Sequence, residues 1–123
     1  MEIKVGEKIR CNDGLIGELI RIERDDIDIS LKWYVFDDGK NERYVNKPYI
    51  TKHSFSLTDL IEVGDYVNGH KVVNEIYGED DNNLYFEIEG GFNKAKYIAE
   101  KDIKTILTRE QFEANAYKVK GEW

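Results

Sequence analysis

The sequence predicts a mainly β protein made of two tandem small barrels and one short C-terminal α-helix. Three observations carry this prediction: apolar and polar residues alternate with period two, tight-turn residues separate the alternating segments, and several segments recur in the same order in both halves. A chain of 123 residues, 41% of them hydrophobic, has room for one domain or two very small ones.

The alternating segments predict strands with one face in the core and one in water. Residues 18–23 and 27–35 show this pattern over the longest stretches. Turn residues lie between the segments, at positions 12–14, 37–40, 67–69 and 90–91. Asn, Asp and Gly tolerate positive φ, so these positions favour tight turns between antiparallel strands.

The recurring segments divide the chain into two copies. Residues 3–9 match residues 61–67, and each match is followed by a glycine turn and an apolar strand. Residues 33–36 match residues 84–88, and a Tyr-containing segment follows in both halves. Each copy has about 50 residues in four or five short strands, which is typical of an SH3-like barrel. We therefore predict one barrel over residues 1–58 and another over residues 59–123.

One segment of the first copy resembles a known module. Residues 9–22, with Gly14, Gly17 and the apolar alternation that follows, resemble the KOW segment of SH3-like nucleic-acid-binding modules. The second copy lacks the second glycine. The resemblance implies a turn between two strands and leaves open a KOW-like regulator of transcription.

A helix is predicted near the C-terminus, over about residues 108–116. Thr108 and Gln111 have the spacing of a capping box, in which each side chain bonds the backbone N–H of the other residue. Alternation resumes at residues 117–120, which we expect to add a strand to a sheet edge.

Charge and cysteine content exclude several classes of protein. The formal net charge is −7, of which −6 belongs to residues 59–123. This balance argues against direct nucleic-acid binding and is compatible either with a protein partner that has a basic surface or simply with solubility. The single cysteine excludes an internal disulfide and a multi-cysteine metal cluster. The N-terminal segment lacks the apolar run of a signal peptide, and nothing is long enough to span a membrane, so we expect a cytoplasmic protein.

The sequence carries no signature of an enzyme. His53, His70 and Cys11 lack metal-ligand spacing, and no phosphate-binding glycine loop or nucleophile elbow is present. We therefore expect a protein that acts without catalysis, cofactor or metal.

Two sets of residues are candidates for binding. The first consists of acidic loops, which would suit a basic partner surface: Asp25, Asp26, Asp28, Asp37, Asp38, Glu79, Asp80 and Asp81. The second is an aromatic–basic patch, which would suit peptides or nucleotides: Lys32, Trp33, Arg43, Tyr44, Tyr49 and Lys52. Because strand residues alternate, Trp33 and Tyr34 must point to opposite faces, and one of them is expected in the core.

The C-terminal two-thirds resembles small accessory proteins encoded by phages and prophages of low-GC Gram-positive bacteria. The resemblance is carried by His53, Ser54, residues 59–69, residues 102–113 and Tyr117. It implies action inside an infected or lysogenic bacterium and supplies no functional residues. We expect an anti-defence factor that inhibits a host nuclease complex, as anti-CRISPR proteins do. The alternative is an oligomeric sponge that sequesters a signalling nucleotide, and the number of subunits stays open.

Overall fold

The computed structural model describes residues 2–77, 84–89 and 96–116, which form two antiparallel β-sheets and one short helix. The first sheet contains β1 (Lys8–Cys11), β2 (Ile16–Arg24), β3 (Lys32–Asp37), β4 (Glu42–Val45) and β5 (Ile50–Ser54). The second contains β6 (Tyr66–Val67), β7 (His70–Tyr77), β8 (Leu84–Ile88), β9 (Lys96–Ala99) and β10 (Ile106–Leu107). The helix α1 is Arg109–Asn115. The prediction of a mainly β chain with one short C-terminal helix is confirmed.

The two sheets have the same strand order. The first runs β4-β3-β2-β1-β5, and the second, read in the same sense, runs β9-β8-β7-β6-β10. In each sheet a single 3₁₀ turn precedes the last strand, Lys47–Tyr49 in the first and Glu100–Asp102 in the second. A third 3₁₀ turn, Leu57–Leu60, leads from β5 toward the second sheet and contains the predicted domain boundary.

The predicted closure of each sheet into a barrel is not confirmed. Among the described residues, β4 pairs with β3 and β5 pairs with β1, so the two edges of the first sheet do not pair with each other. The second sheet is open in the same way, with β9 on β8 and β10 on β6. Within this part of the chain, each edge strand of both sheets therefore pairs with a neighbour on one side only.

The predicted continuous strand over residues 27–35 is wrong in its first half. Strand β2 ends at Arg24 and β3 begins at Lys32, with a loop of residues 25–31 between them. The cause is Asp25, whose carboxylate accepts hydrogen bonds from the backbone N–H groups of Ile27 and Asp28 at 2.9 Å. An aspartate that bonds the backbone two and three residues ahead favours a turn over an extended strand.

The matching segments 3–7 and 61–65 form the same hydrogen bonds. Gly6 and Gly64 have φ of 97° and 100°, a conformation that favours glycine. The N–H of Gly6 donates to the carbonyl of Leu19, and that of Gly64 to Val72. The acidic residue after each glycine is buried and accepts from a backbone N–H three residues earlier. The recurring residue pattern thus encodes a specific turn.

Each sheet has its own hydrophobic core on one face. The buried residues of the first core are Ile3, Ile9, Cys11, Leu19, Tyr34 and Phe36. Those of the second are Ile61, Val67, Val72, Phe86, Ile88 and Ile98. Tyr34 is therefore the core member of the Trp33–Tyr34 pair.

Helix α1 begins as the sequence predicts. Thr108 is the N-cap residue. Its hydroxyl accepts from the backbone N–H of Gln111, and the side chain of Gln111 accepts from the backbone N–H of Thr108. The ring of Phe112 stacks on Tyr66 of β6, with centroids 4.8 Å apart, so the helix packs against the second sheet. The predicted tail strand at residues 117–120 lies outside the described residues.

Candidate functional site

The loop between β2 and β3 holds its backbone with its own carboxylates. Asp25 accepts from the loop backbone through one oxygen and from the indole Nε1 of Trp33 through the other, at 2.9 Å. These bonds, the one from Trp33 foremost, lower the pKa of Asp25. Asp28 accepts from the backbone N–H and the hydroxyl of Ser30. The loop therefore has a defined shape although it lies on the surface.

Two isoleucines project from this ordered loop into solvent. Ile27 is 97% exposed and Ile29 is 72% exposed, the two most exposed large hydrophobic residues of the described chain. The exposed residues Asp26 and Asp28 alternate with them along the chain. The loop thus presents apolar side chains between negative charges.

The second predicted acidic pair lies at the opposite end of β3. Strand β3 has six residues, so Asp37 and Asp38 are about 20 Å from the loop at residues 25–31. Asp38 accepts from the guanidinium of Arg43 and from two backbone N–H groups, and these bonds lower its pKa to about 2. The third predicted cluster, Glu79, Asp80 and Asp81, lies outside the described residues. The predicted acidic loop residues that the structure describes therefore form two separate groups.

The aromatic–basic patch is divided between surfaces. Trp33 and Tyr44 make an edge-to-face contact with ring centroids 6.5 Å apart, and Arg21 donates to the hydroxyl of Tyr44. Arg43 is the neighbour of Tyr44 on β4, so its side chain points to the other face of the strand. Tyr49 follows on the 3₁₀ turn after β4.

The two predicted lysines lie apart from these aromatic residues. Lys32 begins β3 and lines a separate surface cavity of about 300 Å³ together with Lys47 and Pro48. Lys52, on β5, pairs with Glu62 at 3.4 Å. The six predicted patch residues therefore do not form a single site, although Arg43, Tyr44 and Tyr49 line one surface cavity.

Sequence reasoning missed a buried ionic cluster that joins the two halves. Arg10 on β1 is 1% exposed, and its guanidinium bonds the fully buried Asp65, at 2.9 Å from Nη2 to Oδ1. Arg10 also contacts Glu110 of α1 at 2.7 Å and donates to the carbonyl of Leu60 at 2.9 Å. Burial alone would lower the pKa of Arg10, but Asp65 and Glu110 outweigh that effect and raise it.

The carboxylate of Asp65 organises the second half around this cation. It accepts from the backbone N–H of Glu62 at 2.7 Å and from that of Arg109, the first residue of α1, at 2.9 Å. Glu62 contacts Arg10 and Arg109 as well. The cluster therefore links a strand of the first sheet, a turn of the second half and the helix. Its partners lie 50 to 100 positions from Arg10, so no local sequence pattern could reveal them.

Glu7 occupies in the first half the place that Asp65 occupies in the second. It is 6% exposed and contacts Nδ1 of His53 at 2.9 Å. Burial alone would raise the pKa of Glu7, but the bonds from His53 and from the Lys4 backbone outweigh burial and lower it. The ionised form of Glu7 is therefore more stable in the folded chain than in the unfolded chain.

This lowered pKa predicts a loss of stability in acid. A carboxyl group whose folded pKa lies below its unfolded pKa stabilises the fold above the unfolded value, near 4.5 for Glu7, and that contribution is lost as pH falls through the folded pKa. We expect the urea midpoint of Glu7→Gln to change less than that of the wild type between pH 6 and pH 3. Glu18→Gln, at an exposed position of β2, should keep the wild-type pH dependence. Parallel pH profiles for Glu7→Gln and the wild type would contradict the prediction.

Metal-ligand clusters and membrane-spanning helices are both absent from the described ranges. No group of three His, Cys, Asp or Glu side chains in those ranges lies close enough together to hold a metal ion. No helix in that part of the chain combines the length and apolar character needed to cross a bilayer. Comparison of the chain with protein-family models, curated proteins and solved structures gives no match.

Proposed function

We propose that this protein is a non-enzymatic binding protein that docks on a basic protein surface through the loop at residues 25–31. The observation that carries the proposal is the exposure of Ile27 and Ile29 on a loop that Asp25 holds in shape. Exposed apolar side chains rimmed by polar groups are typical of protein–protein contacts.

The energetics of association favour such a loop. Apolar side chains that enter a desolvated pocket supply most of the binding free energy of an interface. A loop that is already ordered loses little conformational entropy on binding, which leaves more of that free energy as affinity. The carboxylates of Asp26 and Asp28, together with the net charge of −7, would speed encounter with a basic partner.

We also propose that the two halves, residues 1–58 and 59–123, are related units of the SH3-like kind. The common strand order and the 3₁₀ turn before the last strand of each sheet support this proposal. The identical hydrogen bonding of the two turn segments supports it further. Small β-modules of this kind present their loops for binding.

The resemblance to phage and prophage proteins makes a host defence nuclease the first partner to test. Such complexes bind nucleic acid and so carry basic grooves, which an acidic protein can occupy. We therefore propose an anti-defence factor, of the anti-CRISPR kind, that acts in the bacterial cytoplasm.

Inhibition and binding assays with purified nuclease complexes of low-GC Gram-positive hosts test this function. We expect Ile27→Ser/Ile29→Ser to weaken binding about 100-fold or more, because two anchors worth about 1.5 kcal/mol each are lost. Asp26→Asn/Asp28→Asn should slow association and reduce its salt dependence. The control is Val73→Ser, which removes an exposed apolar side chain of the second sheet and should bind as the wild type does. Undiminished binding by the isoleucine double variant would exclude the loop, and inhibition of none of the complexes would exclude this partner class.

A further inference from the structure

A surface cavity of about 320 Å³ lies at the other end of β3 from the loop at residues 25–31. Its apolar lining comes from Leu15, Phe36 and Val45, and the 3%-exposed Cys11 lies at its base. Burial raises the pKa of the Cys11 thiol to about 12, so the base of the cavity is uncharged at neutral pH. A cavity of this size is at the lower end of the range for small-molecule sites.

The rim of the cavity combines one cation with an aromatic ring. Arg43 donates through Nε to Asp38 at 2.8 Å, which orients the guanidinium. Within the described ranges, no acceptor contacts its two terminal nitrogens, which are therefore available to an anion. Tyr49 is 52% exposed and lines the same cavity.

The turn between β1 and β2 contributes hydrogen-bonding groups to the rim. Asp13 accepts from the backbone N–H of Leu15 through Oδ1, so Oδ2 is available to a donor. The backbone N–H of Asn12 donates to the carbonyl of Tyr49 at 2.8 Å and ties this turn to the 3₁₀ turn. The rim is thus built from two connected turns.

We propose that this cavity binds a nucleoside monophosphate. The base stacks on Tyr49 above the apolar lining, Arg43 receives the phosphate, and Asp13 accepts from an amino group of the base. The two terminal nitrogens of Arg43 can donate to two oxygens of one phosphate group, and the net charge of −7 opposes the larger charge of polyphosphates and nucleic-acid strands. This cavity is separate from the loop at residues 25–31, and nucleotide binding to it does not depend on the proposed protein partner.

Titration calorimetry and amide chemical-shift mapping with AMP, GMP, CMP and UMP test the proposal. We expect at least one nucleotide to bind with a sub-millimolar dissociation constant and to shift the amides of Asn12, Leu15 and Val45. Tyr49→Ala should weaken binding roughly 5- to 150-fold through lost stacking, whereas Tyr49→Phe should stay within about twofold. Both variants can keep the hydrogen bond from Asn12 to the carbonyl of Tyr49, because it joins backbone groups only.

The contribution of the phosphate is tested separately. Arg43→Gln should lower the affinity for the nucleotide at least fivefold. It should leave the affinity for the matching nucleoside, which is weaker, unchanged. Lys71→Gln, an equal change of charge at an exposed position of the second sheet, should bind as the wild type does.

Three results would overturn the proposal. The first is that none of the four nucleotides binds at millimolar protein. The second is that Tyr49→Ala and Arg43→Gln both bind nucleotide with unchanged affinity. The third is that proline-rich peptides shift the amide signals of the cavity and no nucleotide does. Tyr49→Phe, which keeps the ring, guards against a loss of binding caused by misfolding.

Discussion

Replacing Arg10 by alanine is expected to lower the free energy of unfolding by about 3–5 kcal/mol, because it leaves a buried charge without its partner. That charge is the carboxylate of Asp65, which is 0% exposed and would lose the guanidinium that compensates it. The carbonyl of Leu60 would lose its bond from Arg10 as well. Urea unfolding followed by circular dichroism measures the change.

A matched surface variant separates burial from charge. Arg21 pairs with Glu23 and Glu42, but its side chain is 42% exposed. Arg21→Ala should therefore lower the free energy of unfolding far less than Arg10→Ala does. An Arg10→Ala variant as stable as Arg21→Ala would show that the buried cluster does not hold the two halves together.

The double variant Arg10→Met/Asp65→Leu tests the origin of the cost. Removing both partners leaves no unpaired buried charge, so the double variant should be more stable than the sum of the two single changes predicts. It should still be less stable than the wild type, because the backbone N–H groups of Glu62 and Arg109 lose their acceptor. Additive costs would contradict direct coupling between Arg10 and Asp65.

Gly14→Ala is expected to destabilise the protein by about 2–5 kcal/mol. Gly14 has a φ of 89°, which alone costs an alanine about 1–2 kcal/mol. A Cβ atom at this position would lie 2.1 Å from Oγ1 of Thr108, and overpacking adds about 1–3 kcal/mol. The same Thr108 hydroxyl donates to the carbonyl of Gly14, so the variant also disturbs the contact between α1 and the first sheet.

Gly69→Ala is the matched control for this change. Gly69 has a φ of 82° in the corresponding turn of the second half, and nothing lies within 4 Å of its Cβ position. Its substitution should cost only the backbone term of about 1–2 kcal/mol. Equal urea midpoints for the two variants would contradict the close approach of α1 to the turn at Gly14.

Local features of the fold were accessible from the sequence because they depend on neighbouring residues. The capping box of α1 joins Thr108 and Gln111, three positions apart, and both bonds are present. The predicted turns at residues 12–14 and 37–40 likewise have backbone bonds over three positions, from Gly14 to Cys11 and from Asp38 to Asn41. Period two in β1 and β2 correctly indicated strands.

The loop at residues 25–31 does not follow its local residue pattern. Alternation continues through Ile27 and Ile29, so the pattern predicted a strand with both side chains in the core. The carboxylate of Asp25 instead bonds the backbone of the loop, and both isoleucines are exposed. A side chain that offers the backbone an alternative partner overrides the alternation, and only the structure shows that it does so.

By itself the sequence determined the β-rich class, the turns at residues 12–14, 37–40 and 67–69, the start of the helix and the recurrence of residues 3–9 at residues 61–67. The predicted turn at residues 90–91 lies outside the described residues. Only the tertiary structure decided that Arg10 is buried against Asp65 and Glu110, and that Trp33 and Arg43 face different surfaces. The physical reason is distance along the chain. Hydrogen bonds over three or four positions are specified by the residues that lie there, whereas the partner of a buried charge depends on strands that meet only after the whole chain has folded.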